Sequence, residues 1–472
     1  MKRLIVVSNR LPFTLEQNTE GEWVAKPSSG GLVTGLVPVL KDRGGLWIGW
    51  SGNTAPVREV KGAFTKATRN TGYQVVPVEL SAEERDQFYY GYSNEVIWPL
   101  FHDLTLLCNF DPAYWNIYRE VNARFAEAVH SKAKAGDFVW IHDYQLMCVG
   151  EMLRKKRFKD RLAFFLHIPF PPLDIFTKLP QQKEVLLALL QYDLIGFQTA
   201  RDHRNFLQCA RRVDGLEISP AGRGALLRWE GREIHARAFP IGIDTAQFEK
   251  TAALEDVARR AWNIHAGFPD RQLILGVDRL DYTKGIPDRL KAYRNALHRY
   301  PDLHGRVTFI QVVVPSRTDI PKYYALKTEI DRLVGEINGT FSTGNWVPIH
   351  YLFRSLDFNE LLAYYRTAEV ALITPSKDGM NLVAKEYCAC SIEENAVLIL
   401  SQFAGAADQL RKGAILVNPY DVEQTADAIY QAFTMSKKDR KARMKRLRAN
   451  IRQEDIFWWV KSFFEALPEE TK

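Results

Sequence analysis

Short apolar runs alternate along this chain with longer stretches in which apolar residues recur every three or four positions, an alternation that predicts parallel βαβ units. Leu4 to Ser8, Phe138 to Ile141, Leu162 to Leu166, Leu194 to Phe197 and Ala236 to Ile241 read as strands of a first α/β domain. Within it, Pro112 to Lys134 carries Trp115, Tyr118, Val121, Phe125 and Val129 at helical spacing, which predicts a helix. The pattern then restarts. Leu273 to Val277, Val307 to Val314, Pro348 to Leu352, Val370 to Thr374, Val397 to Leu400 and Ala414 to Val417 read as strands of a second α/β domain. Pro240 and Gly242 interrupt the repeat ahead of a more polar stretch, so the domains are drawn as residues 1–241 and 242–454. The end of the chain, with Ile456, Phe457, Trp458, Trp459, Phe463 and Phe464, is too aromatic for a free tail. Residues 455–472 are expected to form a terminal helix that returns to the first domain.

Polar residues cluster where these strands stop. Ser8-Asn9-Arg10, His142-Asp143 and His167 do so in the first domain, and Asp278-Arg279, Ser316-Arg317 and Asp378 in the second. The carboxyl ends of strands in an open parallel sheet face the ligand crevice, so two such domains predict a phosphate-rich site between them. Arg279 and Lys284 put a guanidinium and an ammonium just past a buried strand, and Gly379 lets a diphosphate approach the main chain at the mouth of a helix. Arg10 precedes Gly30-Gly31, a loop whose backbone can come close to an anion. Other residues keep two readings. His142 and Asp143 serve equally as a core histidine and a helix cap, Tyr89 and Trp98 as core or as sugar-stacking surface, and the prolines after His167 as loop architecture.

Composition narrows the classes. A chain of 472 residues exceeds one core, and 46% hydrophobic with 25% charged residues is ordinary for a folded protein. The formal net charge is +7, but acidic residues are interspersed throughout, which argues for discrete anion sites and against a nucleic-acid arm. Cys108, Cys148, Cys209, Cys388 and Cys390 form no disulfide framework and no paired zinc spacing; Cys388 and Cys390 read as buried small residues. No segment has the roughly 18 unbroken apolar residues of a membrane helix, and the expectation is a cytoplasmic protein. There is no H-E-x-x-H, no G-x-S-x-G, no G-x-x-x-x-G-K-S/T and no G-x-G-x-x-G after the first strand. A two-domain α/β enzyme that grips phosphates without a P-loop matches nucleotide-sugar glycosyl transfer.

The motifs as a set resemble the trehalose-6-phosphate synthases, retaining glucosyltransferases. They are Ser8-Asn9-Arg10, Gly30-Gly31-Leu32, Trp50-Ser51-Gly52, Ser93-Asn94 with Trp98-Pro99, Trp140 to Tyr144, His167 to Pro171, Asp278 to Gly285, Ser316-Arg317, Asp378 to Glu386, Leu400 to Ala407 and Val417 to Asp421. The resemblance implies the GT-B architecture, two Rossmann-like domains facing each other across a deep cleft, the first binding acceptor and the second nucleotide sugar. It implies transfer of glucose from a nucleotide-glucose, most often UDP-glucose, to glucose 6-phosphate, giving α,α-trehalose 6-phosphate. Carried over by position, Arg279 and Lys284 hold the donor diphosphate with the backbone at Gly31, and Glu386 takes the ribose hydroxyls. Asp378, with the backbone of Gly379, Met380, Asn381, Leu382 and Val383, and His167 hold the glucosyl group. Arg10, Tyr89, Trp98 and Arg317 grip the acceptor phosphate, and Asp143 the acceptor hydroxyls. No cofactor and no metal is implied, and a donor phosphate oxygen takes the acceptor proton in place of the carboxylate pair of a glycosidase.

Two places depart from the family pattern. Gln145 stands where many relatives have histidine, and Pro172-Leu173-Asp174 stands where Thr-Pro-Glu is usual, so acceptor-side geometry is expected to differ. Two alternatives share the fold: a transferase using another acceptor such as glycerol 3-phosphate, and a non-catalytic subunit that binds sugar phosphates. The resemblance further implies a homo-oligomer, a role in osmoprotection, no nucleic-acid or membrane partner, and a separate trehalose-phosphate phosphatase acting downstream.

Overall fold

Strands buried on both faces need continuous apolar sequence, and the runs named above fall in the parallel parts of two sheets. The computed structural model describes residues 3–27, 31–69, 71–316 and 321–467. The chain divides into one unit of Met1–Ile241 with Trp459–Lys472 and a second of Gly242–Trp458.

The first unit contains β1 (Leu4–Arg10), β2 (Phe13–Gln17), β3 (Trp23–Pro27), β4 (Gly45–Trp50), β5 (Gln74–Pro77), β6 (Phe138–His142), β7 (Arg161–Phe165), β8 (Leu194–Phe197), β9 (Glu217–Ala221), β10 (Gly224–Trp229) and β11 (Arg232–Ala238). Its main sheet runs β5-β4-β1-β6-β7-β8-β11-β10-β9, parallel except for the pairs β11-β10 and β10-β9. The final strand expected in this domain, Ala236 to Ile241, therefore begins earlier and stops sooner. Phe239 N–H still donates to Phe197 O at 2.7 Å, but Pro240 has no N–H and the ladder ends there. The expected helix runs Pro112–Lys132, its start capped by the Asp111 carboxylate on Ala113 N–H at 2.9 Å. An element that apolar periodicity did not predict is a π-helix over Arg85–Ile97, a rare geometry that recurs at functional sites.

The second unit contains β12 (Gln272–Arg279), β13 (Val307–Val314), β14 (Ile349–Phe353), β15 (Val370–Ile373), β16 (Val397–Ser401) and β17 (Ile415–Val417). They form an all-parallel sheet in the order β14-β13-β12-β15-β16-β17. Successive residues of β12 enter opposite layers: Leu273, Leu275 and Val277 belong to one apolar core and Ile274 to the other. The backbone at Gly242 lies so close to the main chain of Asp455 that a Cβ there would collide with it.

The last helix, Ile456–Glu465, supplies aromatic rings to the first unit. Trp140 stacks on Phe463 at 4.2 Å and on Trp459 at 5.1 Å, and Trp459 Nε1 donates to Phe239 O at 3.1 Å. No disulfide joins any of the five cysteines, and Cys388 and Cys390 are buried. Among the described residues no helix is long and apolar enough to cross a membrane.

Candidate functional site

In the first unit, polar groups gather at the carboxyl ends of β1, β4, β6 and β7. Arg10, the last residue of β1, lies with its guanidinium carbon 4.0 Å from the Trp50 ring centroid and 5.1 Å from that of Tyr89. This aromatic bracket fixes an arginine without neutralising it, leaving its N–H groups for an anion. Gly52, at φ 92°, is part of the bracket, because a Cβ there would run into Arg10 Nη1. Tyr89 belongs to the π-helix, and its carbonyl accepts from Asn94 Nδ2, whose amide oxygen accepts from the Tyr144 hydroxyl at 3.1 Å. Trp98 is buried, with its ring 4.3 Å from His102 and 5.7 Å from Tyr144.

Asp143 follows β6 with φ 75° and ψ 168°, a conformation populated almost only by glycine and costing a side-chain-bearing residue about 1–3 kcal/mol. Its N–H donates to Phe165 O at 2.8 Å and its carboxylate accepts His167 N–H at 3.1 Å. Burial pushes the carboxyl up to about 7, against the opposing backbone N–H groups of His167, Tyr144 and Ile168. The His167 ring is held at both nitrogens: Nε2 is 3.2 Å from His142 Nδ1 and Nδ1 is 3.1 Å from Gln198 Nε2. Because the folded state keeps the Asp143 proton above the ordinary carboxyl range, its contribution is lost as pH rises from about 4 through 7. Asp143→Gly should therefore raise the melting temperature while lowering turnover, with a larger thermal gain at pH 8 than at pH 5. Melting curves at the two pH values check this; a fall in stability at both would show that the strain is not stored there.

In the second unit the site forms after β12 and β15. The Lys284 ammonium lies 2.5 Å from Asp378 Oδ2. Asp378 also accepts from Asn381 Nδ2 at 3.3 Å and Met380 N–H at 3.1 Å. Asn381 sits in the left-handed region at φ 61° and caps the helix Leu382–Cys390 through Ala384 N–H at 3.2 Å. Gly379 is thus part of the tight loop ahead of the helix rather than its first turn. The loop is clasped from outside: Gly405 N–H donates to Asp378 O at 2.9 Å and Ala406 N–H to Met380 O at 2.8 Å. A Cβ at Gly405 would overlap Gly379 O. Arg279, at the end of β12, is exposed, and among the described residues no hydrogen bond or ion pair holds its guanidinium. Glu386 accepts from the Tyr365 hydroxyl at 3.0 Å, and burial raises its carboxyl to about 7.

Beneath Arg279 and Lys284 lies a buried arginine that the sequence reading did not select. Arg289 pairs with Asp278 and donates to Gln311 Oε1 at 3.1 Å, Thr374 Oγ1 at 3.0 Å and Lys284 O at 3.2 Å. Its signal was present: Ile286, Arg289, Leu290 and Tyr293 make one inward stripe at helical spacing, and an arginine on such a stripe needs a partner. Gly285, at φ 62°, lets the loop pass Thr374 O, which a Cβ would approach to 2.6 Å. Arg317 and Gly30 lie outside the described residues; Gly31 begins the helix Gly31–Arg43. The expected residues therefore fall into two sets, Arg10, Tyr89, Asp143 and His167 in the first unit and Arg279, Lys284, Asp378 and Glu386 in the second.

The sequence pattern of glycosyltransferase family 20 matches residues 2–469. The chain belongs to that family. Among its relatives, an alpha,alpha-trehalose-phosphate synthase [UDP-forming] A of Dictyostelium discoideum is 41% identical over 98% of this chain. The chain spans 62% of that relative's length. Two solved structures are similar over nearly their whole length. One is an alpha,alpha-trehalose-phosphate synthase (UDP-forming) from Burkholderia xenovorans in complex with glucose-6-phosphate, 33% identical, with a TM-score of 0.88 over 98% of this chain and 99% of that one. The other, a trehalose-6-phosphate protein from E. coli bound with UDP-2-fluoro glucose, is 36% identical, with a TM-score of 0.88 over 99% of both chains. This family 20 chain accordingly has the GT-B architecture of two Rossmann-like α/β domains. Among its described residues no three His, Cys, Asp or Glu side chains gather in a metal-holding group.

Proposed function

We propose that this chain is a retaining glucosyltransferase that moves glucose from UDP-glucose to glucose 6-phosphate, forming α,α-trehalose 6-phosphate and UDP. The observation that carries the reading lies after β12, where Arg279, whose guanidinium no described residue bonds, precedes a loop in which Lys284, Asp378 and Asn381 are already bonded together. Two cations directed at a leaving diphosphate neutralise charge that grows in the transition state, and a preformed array does so without reorganisation. The Gly31 backbone at its helix start assists them. Asp378, His167 and the main chain of Gly379 to Val383 hold the glucosyl group, and Glu386 the ribose. A neutral Glu386, favoured by its burial, can donate to a ribose oxygen as well as accept.

On the acceptor side Arg10, presented by Trp50 and Tyr89, receives the sugar phosphate together with Arg317, while Trp98 shapes the pocket and Asp143 binds hydroxyls. The attacking hydroxyl and the leaving diphosphate share one face of the sugar, so a diphosphate oxygen accepts the proton and no protein nucleophile is used. The similarity to structures bound with glucose-6-phosphate and with UDP-2-fluoro glucose supports both substrates. The product is a phosphomonoester, so release of the free disaccharide calls for a separate phosphatase. A cytoplasmic homo-oligomer is part of the same reading, and the absence of a disulfide among the five cysteines suits a reducing compartment.

The test is nucleoside diphosphate release from UDP-, ADP- and GDP-glucose, with and without glucose 6-phosphate or glycerol 3-phosphate. UDP release that requires glucose 6-phosphate is expected. Release only with glycerol 3-phosphate would move the chain to the other acceptor class, and no release with any pair would make it a binding subunit.

A further inference from the structure

The buried row Ile241, Gln198, His167, His142 can be given a single proton order from one fixed point. A backbone N–H only donates, so the Ile241 N–H, 3.0 Å from Gln198 Oε1, sets which end of that carboxamide is oxygen. The other end, Nε2, is then a donor, and it lies 3.1 Å from His167 Nδ1. His167 Nδ1 must therefore accept, which puts the proton of the neutral ring on Nε2. That nitrogen is 3.2 Å from His142 Nδ1, which accepts in turn and leaves the His142 proton on its own Nε2. Gln198, His167 and His142 are 3%, 4% and 0% exposed, so water does not scramble the order. Three buried polar side chains in a row are costly, and the order ends on His142 Nε2, a buried nitrogen with no hydrogen-bond partner among the described residues.

We infer that Gln198, anchored by the Ile241 main chain, is a positioning residue that fixes His167 as a neutral ring with its proton on Nε2, ready to donate to a sugar oxygen. This rests on the proposed contact of His167 with the glucosyl group. His142 Nδ1 accepts from this donor when no sugar is bound, and because His142 is fully buried a sugar oxygen shares the proton with it rather than replacing it. The ring's surroundings suit neutrality. The titratable groups facing it are His142 and, through the main chain, Asp143, whereas Phe165 at 4.7 Å and Trp459 at 6.1 Å are apolar rings. Burial lowers His167 to about 3, and burial together with the neighbouring His167 ring holds His142 well below its ordinary value. Ile241 is also the residue at which the first unit ends, so the anchor of the row is the point where the chain leaves that unit.

Histidine-selective 15N labelling with long-range 1H–15N correlation reads the tautomer without substrate. His167 is expected in the Nε2–H form from pH 5 to 8; an Nδ1–H form or an imidazolium in that range overturns the inference. Gln198→Met keeps the length and loses both bonds, so its His167 should mix tautomers. Gln198→Glu presents acceptors at both ends and should draw the His167 proton to Nδ1, turning Nε2 into an acceptor. With UDP-glucose and glucose 6-phosphate, Gln198→Met should raise the KM for the nucleotide sugar about tenfold, the worth of one misaligned hydrogen bond. Gln198→Glu should add to the pH profile of kcat/KM an inflection beyond those of Asp143 and Glu386. Unchanged tautomers with equal activity losses in both variants would make Gln198 packing only. Should the parent show no turnover, the glucosyl reading fails while the tautomer measurement still decides the proton order.

Discussion

Replacing Arg279 by alanine should lower turnover by about a hundred- to a thousandfold, the typical loss when one preorganised charge donor is removed from a transition state. Its melting temperature should stay that of the parent. The asymmetry follows from where the side chain sits. Arg279 ends β12 exposed, and no described residue bonds its guanidinium, so deletion removes neither a buried partner nor core volume. Exposed substitutions of that kind change stability by about 0.5 kcal/mol or less. Lys284 is different, because its ammonium already pairs with Asp378 and its loss would also loosen the loop that carries Met380 and Asn381. Arg279→Lys should recover only part of the activity, since a single ammonium cannot engage two diphosphate oxygens in the planar, two-pronged manner of a guanidinium. Steady-state rates with UDP release as readout, beside a melting curve, check the claim. Parallel losses of rate and stability would move Arg279 out of the diphosphate site and into the framework.

The strands that carry the site were legible because they lie in the parallel, buried parts of the two sheets, so β1, β6, β7, β12, β15 and β16 appear as short apolar runs. β4 did not, since Gly45-Leu46-Trp47-Ile48-Gly49-Trp50 is broken by glycines that packing requires, a Cβ at Gly49 meeting the main chain of Arg10 and Leu11. The β10–β11 hairpin left a readable sign, Glu230-Gly231, both at positive φ, as a two-residue turn between twisted strands demands. The π-helix that presents Tyr89 has a hydrogen-bond period no common apolar pattern matches, and so stayed silent. At the site, charged residues past strand ends were readable by position alone. What hid were properties that need three dimensions: the glycine-like backbone of Asp143, the aromatic bracket around Arg10, and the proton order set by a main-chain N–H beyond Gln198.

Arg289→Met should cost about 3–5 kcal/mol in the unfolding of the second unit, the usual consequence of leaving a buried charge unpaired. The stranded charge is Asp278, whose side chain is 3% exposed beside an arginine at 0%. Gly276 shows how closely the arginine is enclosed, since a Cβ there would come within 2.9 Å of Arg289 Nη1 and 2.6 Å of Gln311 Oε1. Removing the carboxylate as well, in the Asp278→Leu, Arg289→Met pair, should restore most of the stability, because an apolar pair of similar volume replaces a buried ion pair at small net cost. Turnover should not return with it. Arg289 also donates to Lys284 O and Thr374 Oγ1, so it ties the end of β12 to the end of β15 and sets the loop from which Lys284 reaches Asp378. A double variant that melts near the parent but transfers glucose slowly would separate the two roles of this arginine, one in holding the core and one in aiming the loop. Recovery of rate together with stability would show that Lys284 finds its position without the brace.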